Sequence, residues 1–387
     1  MRDARLDGRW HRSGTVAALG LLLAATGTVT NQGCGDDTTP PTNPTTTAGP
    51  AGPGGTGGTG GTGGTGGTGG TGGAGGTGGV GGAGGGTGGM NDEFTIAPAA
   101  NDATEFYSPF DATPDPDGLN VYFTGVNPDG DAGVFQVAAA GGLITELAIG
   151  NPFVSPFGIA ISSDGSQLFV ADVGAQNSID DDAGLILVVP TAGGAPELLT
   201  GGVSTRPASL EVHVEAGQDY LYFTGIDAAD RLPGVFKIPT SGGSPTVVSK
   251  DPLIQDPSGI VVATDGTIYF ADTIAGMDAS TTIYVINAAG IKSFATGLRV
   301  GYPAGIALTF DETQLLVSGL DPVTGTDAVY IYDVVDPTIV GTLAFPPEIA
   351  FGTFTEPAGL HRARNRDTFA WADSRAGGTG TVFVISK

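Results

Sequence analysis

The stretch PSGIVVATDGTIYFAD, residues 257–272, nearly repeats PFGIAISSDGSQLFVAD, residues 156–172. Both hold a proline, a short run of β-branched residues, an Asp-Gly turn and an aromatic-rich run ending in Ala-Asp. Such runs suit strands, and Asp-Gly suits the turn of a hairpin. The motif returns six times, beginning at Ser108, Ser155, Arg206, Asp256, Tyr302 and Glu356. Its prolines stand at 109, 156, 207, 257, 303 and 357. A β-rich unit recurring about every 50 residues is the spacing of propeller blades.

Each copy divides alike. The hairpin supplies two strands, and a polar loop leads to a third, such as residues 185–189 or 283–286. Gly141–Gly142, Gly193–Gly194 and Gly242–Gly243 mark turns into a fourth. A lone four-stranded sheet cannot bury both its faces, so the unit repeats until a ring closes. The last copy stops after its third strand, while EFTIAPA at residues 93–99 belongs to no copy. We expect residues 94–97 to supply the missing strand, leaving no open edge. The expected fold is all-β: a six-bladed propeller of four-stranded blades over residues 91–387.

The pattern P-x-G-I-x-V…DG…IYFAD…IYVI resembles NHL-repeat and gluconolactonase/regucalcin-like six-bladed propellers across residues 107–387. That resemblance implies the fold. It also implies one divalent cation at the channel mouth, held by Glu, Asn and Asp side chains. Glu356 and Asp256 stand at suitable positions, whereas the first-strand channel positions carry no asparagine.

Two segments precede the repeats. Residues 1–33 read as an export signal: the basic MRDARLDGRWHR, then the apolar TVAALGLLLAAT, too short for a comfortable membrane span. Gly33–Cys34 within NQGCGDDTTP resembles the lipidated cysteine of bacterial lipoproteins, with Asn31 and Gln32 departing from that pattern. Cleavage after Gly27 is the alternative. Residues 34–90 are Pro/Thr-rich and then run as GGT triplets. They offer nothing to bury, and as a coil would span on the order of 40 Å.

The chain carries 15 basic and 40 acidic side chains. This surface repels phosphate backbones, so nucleic acid is not an expected partner. The single cysteine, Cys34, excludes an intramolecular disulfide.

Alternation along the first strand places Ile159 and Ile161 between sheets and Gly158 and Ala160 toward the channel. The Ala160 position becomes Thr113, Glu211, Val261, Ala307 and His361 in the other copies. In a ring of six, blades three and six are opposite. Arg206 should then face Glu356 at the mouth, and Glu211 should face His361 deeper in. Arg206, Glu211, Asp256, Tyr302, Glu356 and His361 are candidate ligand-binding residues, with Arg206 suited to an anionic group. The alternative is a hydrated channel of paired polar side chains.

Asp172, Asp272 and Asp373 end the second strand of alternate copies, where Gly125, Gly225 and Gly319 stand in the others. They either share a functional face or cap their own loops. NPDGDAG at 127–133 and SIDDDAG at 178–184 carry calcium-type oxygen ligands, without the spacing of an EF-hand. The leading expectation is a monomeric, exported, lipid-anchored binding module of the bacterial cell envelope, reached through a membrane anchor. The alternative is a metal-dependent gluconolactonase-like hydrolase using calcium or another divalent cation. Limited proteolysis of the full chain should cut first within residues 35–90 and release a stable fragment beginning near Asn91. Resistance of that tract would refute its reading as a tether.

Overall fold

The computed structural model describes residues 94–387 except 102–103, 176–183, 202–204, 277–279, 322, 324–325 and 345–356. The export signal, Cys34, the Gly-rich tract, Glu356 and most of the 178–184 loop lie outside the described residues.

The first strand of the described residues is β1 (Thr95–Ala100), which joins the last blade. Blade one is β2 (Tyr107–Pro114), β3 (Asn120–Val126), β4 (Ala132–Ala138) and β5 (Thr145–Ile149). Blade two is β6 (Pro156–Ile161), β7 (Gln167–Asp172), β8 (Leu185–Pro190) and β9 (Glu197–Leu198). Blade three is β10 (Thr205–Glu215), β11 (Gln218–Asp227), β12 (Pro233–Pro239) and β13 (Thr246–Ser249). Blade four is β14 (Pro257–Val262), β15 (Ile268–Asp272), β16 (Thr282–Asn287) and β17 (Gly290–Thr296). Blade five is β18 (Ile306–Leu308), β19 (Gln314–Asp321), β20 (Thr326–Asp333) and β21 (Ile339–Ala344). Blade six is β22 (Pro357–Arg362), β23 (Thr368–Asp373) and β24 (Thr381–Ser386), completed by β1. Every neighbouring pair is antiparallel. The fold is a six-bladed β-propeller.

The closing strand is the expected one, extended to Ala100. Thr95 pairs with Ser386 and Ala97 with Val384. Phe94 is buried beside Phe369, ring centroids 6.2 Å apart. The strand seals what would be a bare sheet edge.

Apolar residues form a layer at each of the six seams. Phe106, Phe123 and Phe135 of blade one meet Ala370 and Val382 of blade six. Tyr222 and Val235 of blade three meet Ile260, Ile268 and Phe270 of blade four. The repeat also places an aromatic pair across the middle strands. Phe123–Phe135, Phe223–Phe236, Phe270–Tyr284 and Trp371–Phe383 stack with centroids 5.1–5.6 Å apart. Each pair is directly opposed in its ladder.

Blades alternate in how they join. The Thr124 hydroxyl donates to Phe157 O at 3.1 Å, and the Ser318 hydroxyl to Ala358 O at 2.8 Å. The Thr224 hydroxyl donates likewise to Ser258 O. These bonds run from odd blades to the following even blade. Even blades have Ala171, Ala271 and Ala372 at that position. There the next residue is the aspartate: Asp172 accepts four backbone N–H bonds, from Val154, Ser155, Gly174 and Ala175, at 2.7–3.0 Å. Asp272 accepts from Gln255 at 2.7 Å and from Asp256, and Asp373 from Arg375 and Ala376 at 2.8–2.9 Å. Of the two readings of these aspartates, the structure shows the loop cap. Burial raises the Asp172 and Asp272 pKa, and the accepted N–H bonds oppose the rise.

Deleting residues 91–100 should abolish cooperative unfolding or lower Tm strongly, whereas deleting 35–89 should leave Tm unchanged. Phe94→Ala alone should cost about 3 kcal/mol in denaturant titration. Equal Tm values for the two deletions would refute the closing role of β1.

Candidate functional site

The six inner strands β2, β6, β10, β14, β18 and β22 surround the axis. One expectation about them needs correction. Ala160, Val261 and Ala307 pack into the seams rather than lining an open channel. Both faces of a blade meet a neighbour, so alternate residues of an inner strand turn toward the blade before and the blade after. Only long polar side chains at these positions reach the axis.

Two of them meet there. His361 Nδ1 lies 3.3 Å from Glu211 Oε2, joining blade six to blade three. His361 Nε2 lies 3.1 Å from Asp111 Oδ2, in blade one. Asp111 is fully buried, and its carboxylate also accepts the N–H groups of Ala112 at 2.8 Å and Ile159 at 3.0 Å. Burial would lower the imidazole pKa, but Asp111, through charge and hydrogen bond, and then Glu211 override it, pushing it up to about 10. At neutral pH His361 is therefore an imidazolium donating from both nitrogens. Just below, Arg364 Nη2 donates to Val212 O at 3.2 Å, again from blade six to blade three. These contacts tie blade six to blades one and three across the axis, below the mouth.

Asp111 escaped the sequence reading, which carried only the Ala160 position across the copies. Asp111 sits two residues earlier, where the other blades have Gly158, Ser209, Gly259, Gly305 and Gly359. A lone charge in a column of the smallest residues was the available signal. Gly359 explains the fit: a Cβ there would lie 1.6 Å from Asp111 Oδ1. Glycine in blade six makes the space that the carboxylate fills.

The mouth lies at the proline end. Phe110 of blade one packs on Phe157 of blade two, centroids 5.2 Å apart. Phe157 meets Tyr302 of the opposite blade five edge-on at 5.7 Å. Tyr302 is 40% exposed. Its surroundings raise the phenol pKa, by desolvation first and then through the charge of Asp256, with Arg206 opposing. Arg206 is exposed and Asp256 half-buried. Asp256 accepts the Thr273 hydroxyl. The structure thus groups Arg206, Asp256 and Tyr302 at the mouth and Glu211 with His361 below it. Glu356 lies outside the described residues.

Of the two residues expected to hold a divalent cation, only Asp256 lies among the described residues. Asp256 shares its surroundings with the cationic Arg206, and its Oδ2 is engaged by Thr273. Among the described residues no group of three or more His, Cys, Asp or Glu side chains is arranged to hold a metal. In the 127–133 loop, the Asn127 carboxamide oxygen accepts the N–H groups of Asp129 at 3.1 Å and Asp131 at 2.9 Å. It shapes its own loop.

No protein-family model matches the chain, and no curated protein does. Solved structures do. A gluconolactonase from Xanthomonas campestris aligns at 15% identity and TM-score 0.47, over 77% of this chain and 99% of that one. An oligogalacturonate lyase from Vibrio parahaemolyticus aligns at 10% identity and TM-score 0.43, over 77% and 95%. Hydrazine synthase from Kuenenia stuttgartiensis aligns at 13% identity and TM-score 0.45, over 73% and 97%. At these identities the likeness is one of fold.

The sign of the pH dependence follows from the imidazolium. A histidine pKa raised from 6.5 to about 10 contributes stability fully below pH 6.5 and loses it as pH rises through 10. The difference in unfolding free energy between wild type and His361→Gln, read also as a Tm difference, should be largest near pH 6 and shrink toward pH 10, with a full amplitude on the order of a few kcal/mol. Histidine NMR signals should show one ring still protonated at pH 8. A neutral ring there, or a constant Tm difference, would refute the ion cluster.

Proposed function

We propose that this chain is an exported, lipid-anchored propeller that acts as a binding module at the bacterial cell envelope. The observation that carries the binding reading is the occupancy of both His361 nitrogens by carboxylates. A ring held as imidazolium between Asp111 and Glu211 has no lone pair to accept a proton or bind a metal. The group best suited to acid–base work is thereby a structural clamp. Above it stand the aromatic rings of Phe110, Phe157 and Tyr302 and two opposite charges, Arg206 and Asp256. Such a surface suits a ligand with an apolar part and an anionic group directed at Arg206. Support for the address is the basic and apolar leader followed by Gly33–Cys34 and a tract too poor in side chains to fold.

Two measurements test this. Expressed in a bacterium, the wild type should incorporate a labelled fatty acid and sediment with membranes. Cys34→Ala should do neither, and an unlabelled wild type would refute the anchor. Calcium, manganese and EDTA should leave Tm unchanged. A metal at 100 times its Kd would add about 2.7 kcal/mol. A shift of that size, lost in Asp256→Asn or Glu356→Gln, would bring the hydrolase reading forward instead.

A further inference from the structure

The ends of the blades away from the mouth are tied turn to turn. The Ser163 N–H donates to Asp219 Oδ2 at 2.8 Å, joining blades two and three. The Thr264 N–H and hydroxyl both donate to Glu312 at 2.7 Å, joining four and five. The Phe310 N–H donates to Asp367 at 2.6 Å, joining five and six. The Asn365 N–H donates to Pro116 O at 2.9 Å, joining six and one. Between blades three and four, as between one and two, no such turn-to-turn bond is formed among the described residues, and at three and four the hairpins also differ in length. β10 continues to Glu215, eight residues past its proline, whereas β14 ends at Val262, five past its own. The hairpin of blade three, Pro207–Gly225, is three residues longer than that of blade four, Pro257–Asp272, so its turn is carried about 5 Å beyond its neighbour's. It leans on blade two through Asp219, and the apolar layer toward blade four stays open at its end.

A cleft of about 610 Å³ occupies that opening. Its apolar lining is Val247, Val248, Ile268 and Ile286, continuous with the seam that buries Tyr222 and Phe270. Its rim carries Lys237, Asp265 and Asn287. The charges on that rim are unequal. Lys237 Nζ lies 2.8 Å from both Glu215 oxygens, and its ammonium rests 5.1 Å from the Tyr220 ring centroid and 5.4 Å from that of Tyr222. Glu215 also accepts the Tyr222 hydroxyl. The lysine charge is thus neutralised in place. Asp265, on the facing wall, is exposed, is held by the Thr267 N–H at 2.8 Å, and makes no salt bridge with the cleft's other described residues; the one cationic group that acts on it is His213 of blade three, whose own pKa burial lowers. Thr267, through its N–H and then its hydroxyl, lowers the Asp265 pKa, so the carboxylate stays ionised.

We propose that this cleft is a binding site, separate from the mouth, for a small organic cation with an apolar body. The apolar part lies over Val247, Val248, Ile268 and Ile286, and the ammonium pairs with Asp265. The size and the mixture of an apolar base with few polar groups are those of a small-molecule pocket. An unneutralised carboxylate at the rim sets the sign of the ligand.

The test is calorimetric titration of the full chain with 2-phenylethylammonium, beside 3-phenylpropanoate as the anion of like shape. The ammonium should bind saturably and the anion should not. Asp265→Asn should weaken binding about tenfold. Val248→Trp should block it, with Val247→Trp at the exposed edge as a second blocking variant should the first lose its fold. Asp256→Asn, at the mouth, should leave binding unchanged. No saturable binding, equal binding of the anion, or binding that survives both Asp265→Asn and the tryptophan variants would overturn the site. Loss in Asp256→Asn with Asp265→Asn unaffected would assign the cation to the mouth instead.

Discussion

The constraint behind this molecule is that each sheet has two apolar faces and, among the described residues, no α-helix covers either. Only a sheet on each side can bury them, and only a closed ring gives every sheet two neighbours. The six apolar layers follow from that demand, one to each seam. So does the use of β1 from the start of the described chain to complete a blade whose other three strands come from its end. The stacked aromatic pairs at the centre of the blades give facing sheets a thick, flat contact.

The same demand governs the axis. Inner strands that turn their side chains to adjacent blades leave little to fill the centre. Here the filling is ionic: one imidazolium between two carboxylates from three different blades. A buried charge without a partner would be costly, so the three groups depend on one another. Gly359 belongs to this arrangement although it bears no charge, because any side chain there would displace Asp111.

Most of the architecture was legible in the sequence because it is periodic. Six prolines about fifty residues apart, with an Asp-Gly or equivalent turn after each, specify six like sheets, and a unit one strand short points to a strand found elsewhere. The meeting of Glu211 with His361 was legible too, from position in the unit and the opposition of blades three and six. What escaped depends on departures from the repeat. Asp111 breaks a column of small residues, and its partner is set by three-dimensional packing. The long β10 shows as two extra residues between Pro207 and Gly225 relative to the span from Pro156 to Asp172. That those residues lift a turn away from blade four, and so open a cleft, depends on the placement of the neighbouring turn. The assignment of Ala160, Val261 and Ala307 to the channel failed because strand alternation alone does not say what lies on either side.

The pairing of Thr95 with Ser386 has a mechanical consequence. A force applied to the residues preceding Phe94 enters the domain through one outer strand and is resisted by the hydrogen bonds between β1 and β24. Pulled along the strand, those bonds are loaded together in shear. Pulled outward from the sheet, they are loaded one after another and the strand peels. The direction of the load therefore decides whether the ring withstands it or springs open at its last-closed blade.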